Sequence, residues 1–361
     1  MRAKVCSLML VDEPSHTCDS FVCPRPGSAR SHRGREGCVL RLRAVGKKHA
    51  TPLAGAAAPH ALRHPLPLSE KQCTFPALAH TDDTCAETEP MPTARIGNIT
   101  IHYTPQGQGE PLLLIMGYRG SGFMWGEELI TPLARHFQVI SFDNRGTGLS
   151  DKPDSLYTIP MMADDAAGLL RHLGIQRAHV FGVSMGGMIA QELALRHPQM
   201  VQRLILGCTS CGGPQAVLAS HEVLTRLIPP PDLPRAEAIR RQWTVMFSTR
   251  FLETQPHALE LLTQRALLHP APPHTSILHL MAVQRFNTYG RLGLVIAPTL
   301  IVTGTDDLIV PPANSLLLAA RIPRATLSML DGTGHGFFWE APEEVVTLLG
   351  QFCSPSHPSP T

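Results

Sequence analysis

The sequence predicts an α/β fold, a mostly parallel central sheet flanked by helices and interrupted once by a helical insertion. Three observations carry the prediction. Apolar runs of strand length (Pro111–Met116, Val201–Gly207, Thr299–Thr303) alternate with longer helix-like segments, as in a sheet buried on both faces. Ala178–His197 reads as a short apolar strand, a sharp turn carrying one serine, and a helix. From Thr209 to about Leu294 the alternation stops, and Pro229-Pro230-Pro231 and Pro270-Ala271-Pro272-Pro273 punctuate helical-looking pieces such as Arg235–Phe251.

Composition bounds the function. A chain of 361 residues with 43% apolar and 17% charged residues can bury a sizeable core, although 33 prolines are many. A formal charge of +2 excludes the basic footprint of a nucleic-acid binder. No apolar run approaches the roughly 20 residues that span a bilayer, so no transmembrane segment is expected. Of nine cysteines, Cys6, Cys18, Cys23, Cys38, Cys73 and Cys85 lie early, at spacings that match no zinc pattern. Neither a metal nor a cofactor is expected, and the sequence carries no sign of oligomeric state.

Residues 1–90 mix Cys, Arg, His, Pro, Ser and Ala with little period of 2 or 3.6. They read as a disordered extension. Val5–Val11 is too short for a secretory core and the acidic residues oppose a transit peptide, which leaves the cytoplasm as the default compartment. From Met91 the chain alternates at once as a β-strand does (Met-Pro-Thr-Ala-Arg-Ile-Gly-Asn-Ile-Thr-Ile-His-Tyr), so translation beginning at Met91 is the sharper reading. The expected division is an extension over 1–90, a core over 91–211 and 295–353, an insertion over 212–294, and a flexible tail over 354–361.

Along the core, Ile96–Tyr103 reads as edge strands closed by the Gly107 and Gly109 turn, Trp125–Phe137 as helix and Gln138–Phe142 as strand. Tyr157–Leu173 is an amphipathic helix, in which Asp164-Asp165 sits early enough for capping or solvation to account for it. The loop Gly117-Tyr118-Arg119-Gly120-Ser121-Gly122 lacks the ending of a P-loop and the spacing of a dinucleotide fingerprint. The other use of such a loop is an oxyanion hole, with the Tyr118 N–H as one donor and the Met185 N–H as the second.

Gly182, Ser184 and Gly186 form Gly-x-Ser-x-Gly, and Asp143-Asn144-Arg145-Gly146-Thr147-Gly148-Leu149-Ser150 stands upstream. Together these resemble the α/β-hydrolase superfamily, with its nucleophile elbow and its Asp-x-Arg-Gly-x-Gly-x-Ser turn. The resemblance implies that the upstream turn is structural and that the insertion is a cap roofing the pocket. Ser184, Asp307 and His335 fall in the family's order of nucleophile, acid and base. A serine hydroxyl needs a neutral imidazole to take its proton, and a carboxylate on the other ring nitrogen sets the tautomer. Asp306 competes with Asp307 for the acid. Asp307 is preferred because Asp307-Leu308-Ile309-Val310-Pro311 resembles the family's acid loop in register. The turn Cys208-Thr209-Ser210 holds no carboxylate, so the acid position some relatives use is empty, and Cys208-x-x-Cys211 is weak support for a redox or zinc role.

A serine at the elbow, where epoxide hydrolases and haloalkane dehalogenases of this fold carry aspartate, points to acyl transfer. Gly-Val-Ser-Met-Gly-Gly-Met-Ile-Ala-Gln resembles the branch containing 3-oxoadipate enol-lactonases and small carboxylesterases, although Met116-Gly117 replaces the family's frequent His-Gly and removes a side chain that braces the loop. The expected activity is hydrolysis of a small carboxylic ester or lactone, the apolar insertion favouring an uncharged ligand. A carbon–carbon bond hydrolase or a cofactor-free haloperoxidase would use the same triad, and a non-catalytic ligand-binding protein the same scaffold. Trp243, Met246, Phe247 and Phe251 fall at helical spacing, for packing of insertion on core or for lining the substrate pocket.

Overall fold

The computed structural model describes residues 91–354 apart from Pro229 and Pro231. The extension expected over 1–90 and the tail beyond Ser354 lie outside the described residues.

Eight strands form one sheet in the order β1-β2-β4-β3-β5-β6-β7-β8. The strands are β1 (Thr93–Ile96), β2 (Ile99–Gln106), β3 (Glu110–Ile115), β4 (Phe137–Phe142), β5 (Ala178–Val183), β6 (Val201–Gly207), β7 (Thr299–Gly304) and β8 (Ala325–Leu330). β1 and β2 pair antiparallel, as do β2 and β4, and every later pairing is parallel. Parallel strands require both faces covered, which is why β5 is buried at all six positions. Successive side chains of β3 serve opposite faces. Leu113 and Ile115 join the core containing Ile189 and Leu193, whereas Leu112 and Leu114 join the one containing Trp125 and Phe338.

The flanking helices are α1 (Glu127–Leu133), α2 (Ile159–His172), α3 (Met185–Arg196), α9 (Ala313–Arg321), α10 (Phe337–Glu340) and α11 (Pro342–Cys353). Between β6 and β7 lie α4 (His221–Leu227), α5 (Arg235–Met246), α6 (Thr249–Thr254), α7 (Pro256–Leu268) and α8 (Pro273–Gln284). Two expected helices are shorter than their sequence periods. Trp125–Phe137 divides into a short 3₁₀ turn and α1 because Gly126 has φ 71°, outside the helical region. Arg235–Phe251 breaks after Met246, where the Ser248 hydroxyl accepts from the Phe251 N–H and starts a new helix.

The connection order matters for the site. From β3 the chain runs to β4 on one side and returns to β5 on the other. Loops leaving β3 and β5 therefore diverge and leave a crevice beyond their carboxyl ends, the usual ligand position in an open α/β sheet.

Candidate active site

Ser184 joins β5 directly to α3 and holds φ 55°, ψ −122°. The flanking glycines are required by close approach. A Cβ on Gly182 would lie 2.2 Å from the Gly186 carbonyl oxygen, and one on Gly186 would lie 2.0 Å from the Ile115 oxygen. The elbow is tied down on both sides: the Ser184 N–H donates to Gly207 O at 2.9 Å, and its carbonyl accepts from the Thr209 hydroxyl at 2.7 Å.

Asp307 and His335 come from the loops after β7 and β8. His335 Nδ1 lies 2.8 Å from Asp307 Oδ2, and the other carboxylate oxygen accepts from the Ile309 and Val310 amides at 2.9 and 2.8 Å. Asp306 is exposed and accepts from the neighbouring Thr305 hydroxyl, so the geometry brings Asp307 to the imidazole and leaves Asp306 out. Burial disfavours a charged His335, but the adjacent Asp307 carboxylate, together with Cys208, outweighs it and holds the imidazole well above its ordinary 6.5. Ser184 and His335 line one cavity, together with Gly117, Tyr118 and Arg119 of the loop after β3. The cavity encloses about 160 Å³, the scale of a space that holds a benzene ring.

Among the described residues the non-glycine residues at positive φ are Arg119 (62°), Ser184 (55°) and Cys208 (39°), and all three line this cavity. Such conformations cost of order 1–3 kcal/mol each and cluster where function holds them.

Met185 opens α3, so its N–H is one that no helical turn uses, and it is oriented with the helix's positive end. Gly117 is close under the serine: a Cβ there would sit 3.0 Å from Ser184 Cβ. The bracing expected to be lost at Met116 comes from another residue. The Asn144 side-chain amide donates to the Met116 carbonyl at 3.0 Å. Its neighbour Asp143 accepts from the Gly122 and Leu149 amides, both at 2.7 Å, and lies 3.1 Å from His102 Nδ1. The Asp-Asn-Arg turn is thus the foundation of the loop after β3. Arg145 forms a buried fork to Asp165 at 2.5 and 2.6 Å. This corrects the capping or solvation reading of the Asp164-Asp165 doublet: Asp165 is a buried ion-pair partner, and Asp164 bridges Arg196 and His197.

The four aromatic and sulfur positions of the insertion separate. Trp243 and Met246 line the cavity. Phe247 and Phe251 are absent from its lining and bury their rings elsewhere, tilted against each other with centroids 4.9 Å apart and Trp339 5.7 Å from Phe247. The break at Ser248 rotates them away from the face that helical spacing assigned.

Several lining residues carried no sequence signal of their own. Arg235, Gln242 and His269 reach the cavity only through the packing of α5 and of the segment after α7. Trp339, on the short helix α10, also lines the cavity. Cys208 directly follows β6, with Sγ, an Asp307 oxygen and a His335 nitrogen all within 4.8 Å of one another. Burial pushes its thiol pKa up, against the pull of His335. Among the described residues Cys208 and Cys211 form no disulfide. No helix among the described residues is long and apolar enough to cross a membrane.

Comparison with known proteins agrees with this geometry. A family model described as the alpha/beta hydrolase fold matches residues 110–342. A RutD protein of Azorhizobium caulinodans, provisionally named a carbamate hydrolase, is 31% identical over 263 residues, covering 73% of this chain and 98% of its own. BpoC of Mycobacterium tuberculosis, provisionally named a non-heme bromoperoxidase, is 29% identical over 274 residues, covering 70% and 97%. Among solved structures, Est816, described as an N-acyl homoserine lactone degrading enzyme, superposes with a TM-score of 0.61 at 30% identity, covering 72% of this chain and all of its own (100%). With its family model spanning the site and its sheet order intact, the chain belongs to the α/β-hydrolase fold family and is a hydrolase.

Proposed function

We propose that the protein is a serine hydrolase that cleaves a carboxylic ester or lactone through an acyl-enzyme. The observation that carries this reading is the buried Asp307–His335 contact at 2.8 Å on the cavity that also presents Ser184 at its strained turn. Ser184 Oγ attacks the carbonyl carbon while His335 accepts its proton. The carbonyl oxygen becomes an oxyanion facing the Tyr118 and Met185 amides, which bind charge that develops only in the transition state. His335 then protonates the leaving alcohol. Water, deprotonated by the same imidazole, releases the acid and restores Ser184. Asp307 stays ionised throughout, holding the proton on Nδ1 and stabilising the imidazolium. The lactone-degrading description of Est816 is further support for the carbonyl class, at the level of a relative.

The test is labelling with a fluorophosphonate probe, followed by an ester and lactone panel on wild type and Ser184→Ala. Labelling and turnover that both vanish in Ser184→Ala are expected. Turnover that survives the substitution sinks the reading, and so does an unlabelled wild type.

A further inference from the structure

The cavity is less neutral than the composition of the insertion led one to expect. Its lining holds three arginines, Arg119, Arg235 and Arg265, and no aspartate or glutamate. Arg265 is neutralised by a two-point contact to Glu128 at 2.8 Å. Arg119 and Arg235 have no carboxylate partner among the described residues. Arg119 bears a 5.9 Å cation–π contact with Tyr118, and Arg235 has one long contact, 3.5 Å, to the Ala271 carbonyl. Burial lowers the Arg235 pKa, and the Arg119 charge lowers it further.

Both arginines also occupy positions that local structure does not favour. Arg119 is the third residue of the turn closed by Gly120 N to Gly117 O at 3.2 Å, and its φ of 62° is one that glycine adopts at no cost. Arg235 is the first residue of α5, where the helix dipole disfavours a cation. Two cations at costly positions in the lining of one crevice match a ligand that brings the missing negative charge. The oxyanion is served by amides, so this charge belongs to a part of the substrate away from the reacting carbonyl.

Resting on the serine-hydrolase reading of the same site, we propose that the substrate is an anionic ester or lactone, with a carboxylate bound between Arg119 and Arg235 and its apolar body against Trp243 and Met246. This replaces the uncharged ligand expected from the insertion alone. That expectation missed the charge because half of the pair comes from the loop after β3.

The experiment compares p-nitrophenyl hydrogen glutarate with its neutral methyl diester. Wild type is expected to favour the anion in kcat/KM by about tenfold or more at low ionic strength, the advantage shrinking as salt screens it. R235Q and R119Q should each lower that ratio, and R235E should invert it. A wild type that prefers the diester, or a ratio indifferent to salt and to all three substitutions, overturns the proposal. Calorimetric binding of glutarate to Ser184→Ala, weakened by R119Q or R235Q, reads the same site without turnover; no detectable binding counts against it. An absence of fluorophosphonate labelling at Ser184 instead strikes the hydrolase reading, while glutarate binding still judges the anion site. Thermal melts of the variants separate misfolding from lost recognition.

Discussion

Asp307 faces His335 with one carboxylate oxygen, at 2.8 Å from Nδ1, and spends the other on the Ile309 and Val310 amides. The carboxylate is thereby held against rotation, and in the proposed mechanism the imidazole keeps its Nδ1 proton while the opposite nitrogen serves Ser184. Asn at position 307 can present an amide N–H to the ring and select the wrong tautomer. D307N should lower kcat on a p-nitrophenyl ester by about 10³–10⁴, while Asp306→Asn should change it little. Steady-state kinetics of the two variants decide between the carboxylates.

The same contact sets a pH limit. In the proposed mechanism His335 must be neutral to accept a proton, and the raised pKa keeps it protonated to higher pH than an ordinary histidine. Wild-type kcat/KM should therefore rise with pH through a midpoint above 6.5. In D307N the first of the charges that raise the pKa is gone and the midpoint should move down. A pH–rate profile that does not move would mean that another group sets the acid limb.

Cys208 directly follows β6, its Sγ within 4.8 Å of an Asp307 oxygen and a His335 nitrogen. A carboxylate at that position can reach the imidazole that D307N leaves unsupported. The double variant C208D/D307N should recover at least about tenfold of the activity lost in D307N, the two positions being coupled through one shared partner. Equal activity in the double and single variants argues against that reach.

Gly117 lies so close to the elbow that an added Cβ would meet Ser184 Cβ at 3.0 Å and Val183 O at 3.2 Å. G117A should displace the loop carrying the Tyr118 amide and reduce kcat by about a hundredfold, the scale of losing one oxyanion donor. KM and the melting temperature should move little, because the strain falls on a loop and not on the sheet.

The buried Arg145–Asp165 fork supports the turn beneath the site. Removing one partner strands a charge in the interior, so R145M should cost about 3–5 kcal/mol. R145M/D165L should regain most of it. Chemical denaturation of the three proteins measures both effects.

His279 gives the fold its own acid sensitivity. Burial, aided by the Arg119 and Arg145 charges, lowers its pKa from 6.5 to about 4. Its Nε2 lies 2.8 Å from the Arg145 carbonyl, and its Nδ1 is buried without a partner. Protonation would bury an unbonded N–H. The unfolded chain takes the proton first, so this residue costs stability as pH falls below 6.5, up to about 3 kcal/mol once pH is below 4. H279N should flatten that part of the pH–stability curve, measured by thermal melts from pH 7 to 4.

The sequence by itself determined the features that repeat at short range. Apolar runs bounded by glycine specify buried parallel strands, and Gly182, Ser184 and Gly186 specify an elbow, because these follow from backbone sterics and period within a few residues. The preference for Asp307 over Asp306 was also legible, from its register to Val310-Pro311. Only the tertiary structure decided which distant residues share the cavity. Nothing local distinguishes Phe247 from Met246, yet a one-serine helix break turns the first into the core and leaves the second on the lining. Nothing in the neighbourhood of Arg119 announces Arg235, 116 positions along, and nothing near Asp165 announces Arg145. Charge pairing and shared walls depend on how the insertion packs across the carboxyl ends of the strands, and that packing is a property of the whole chain.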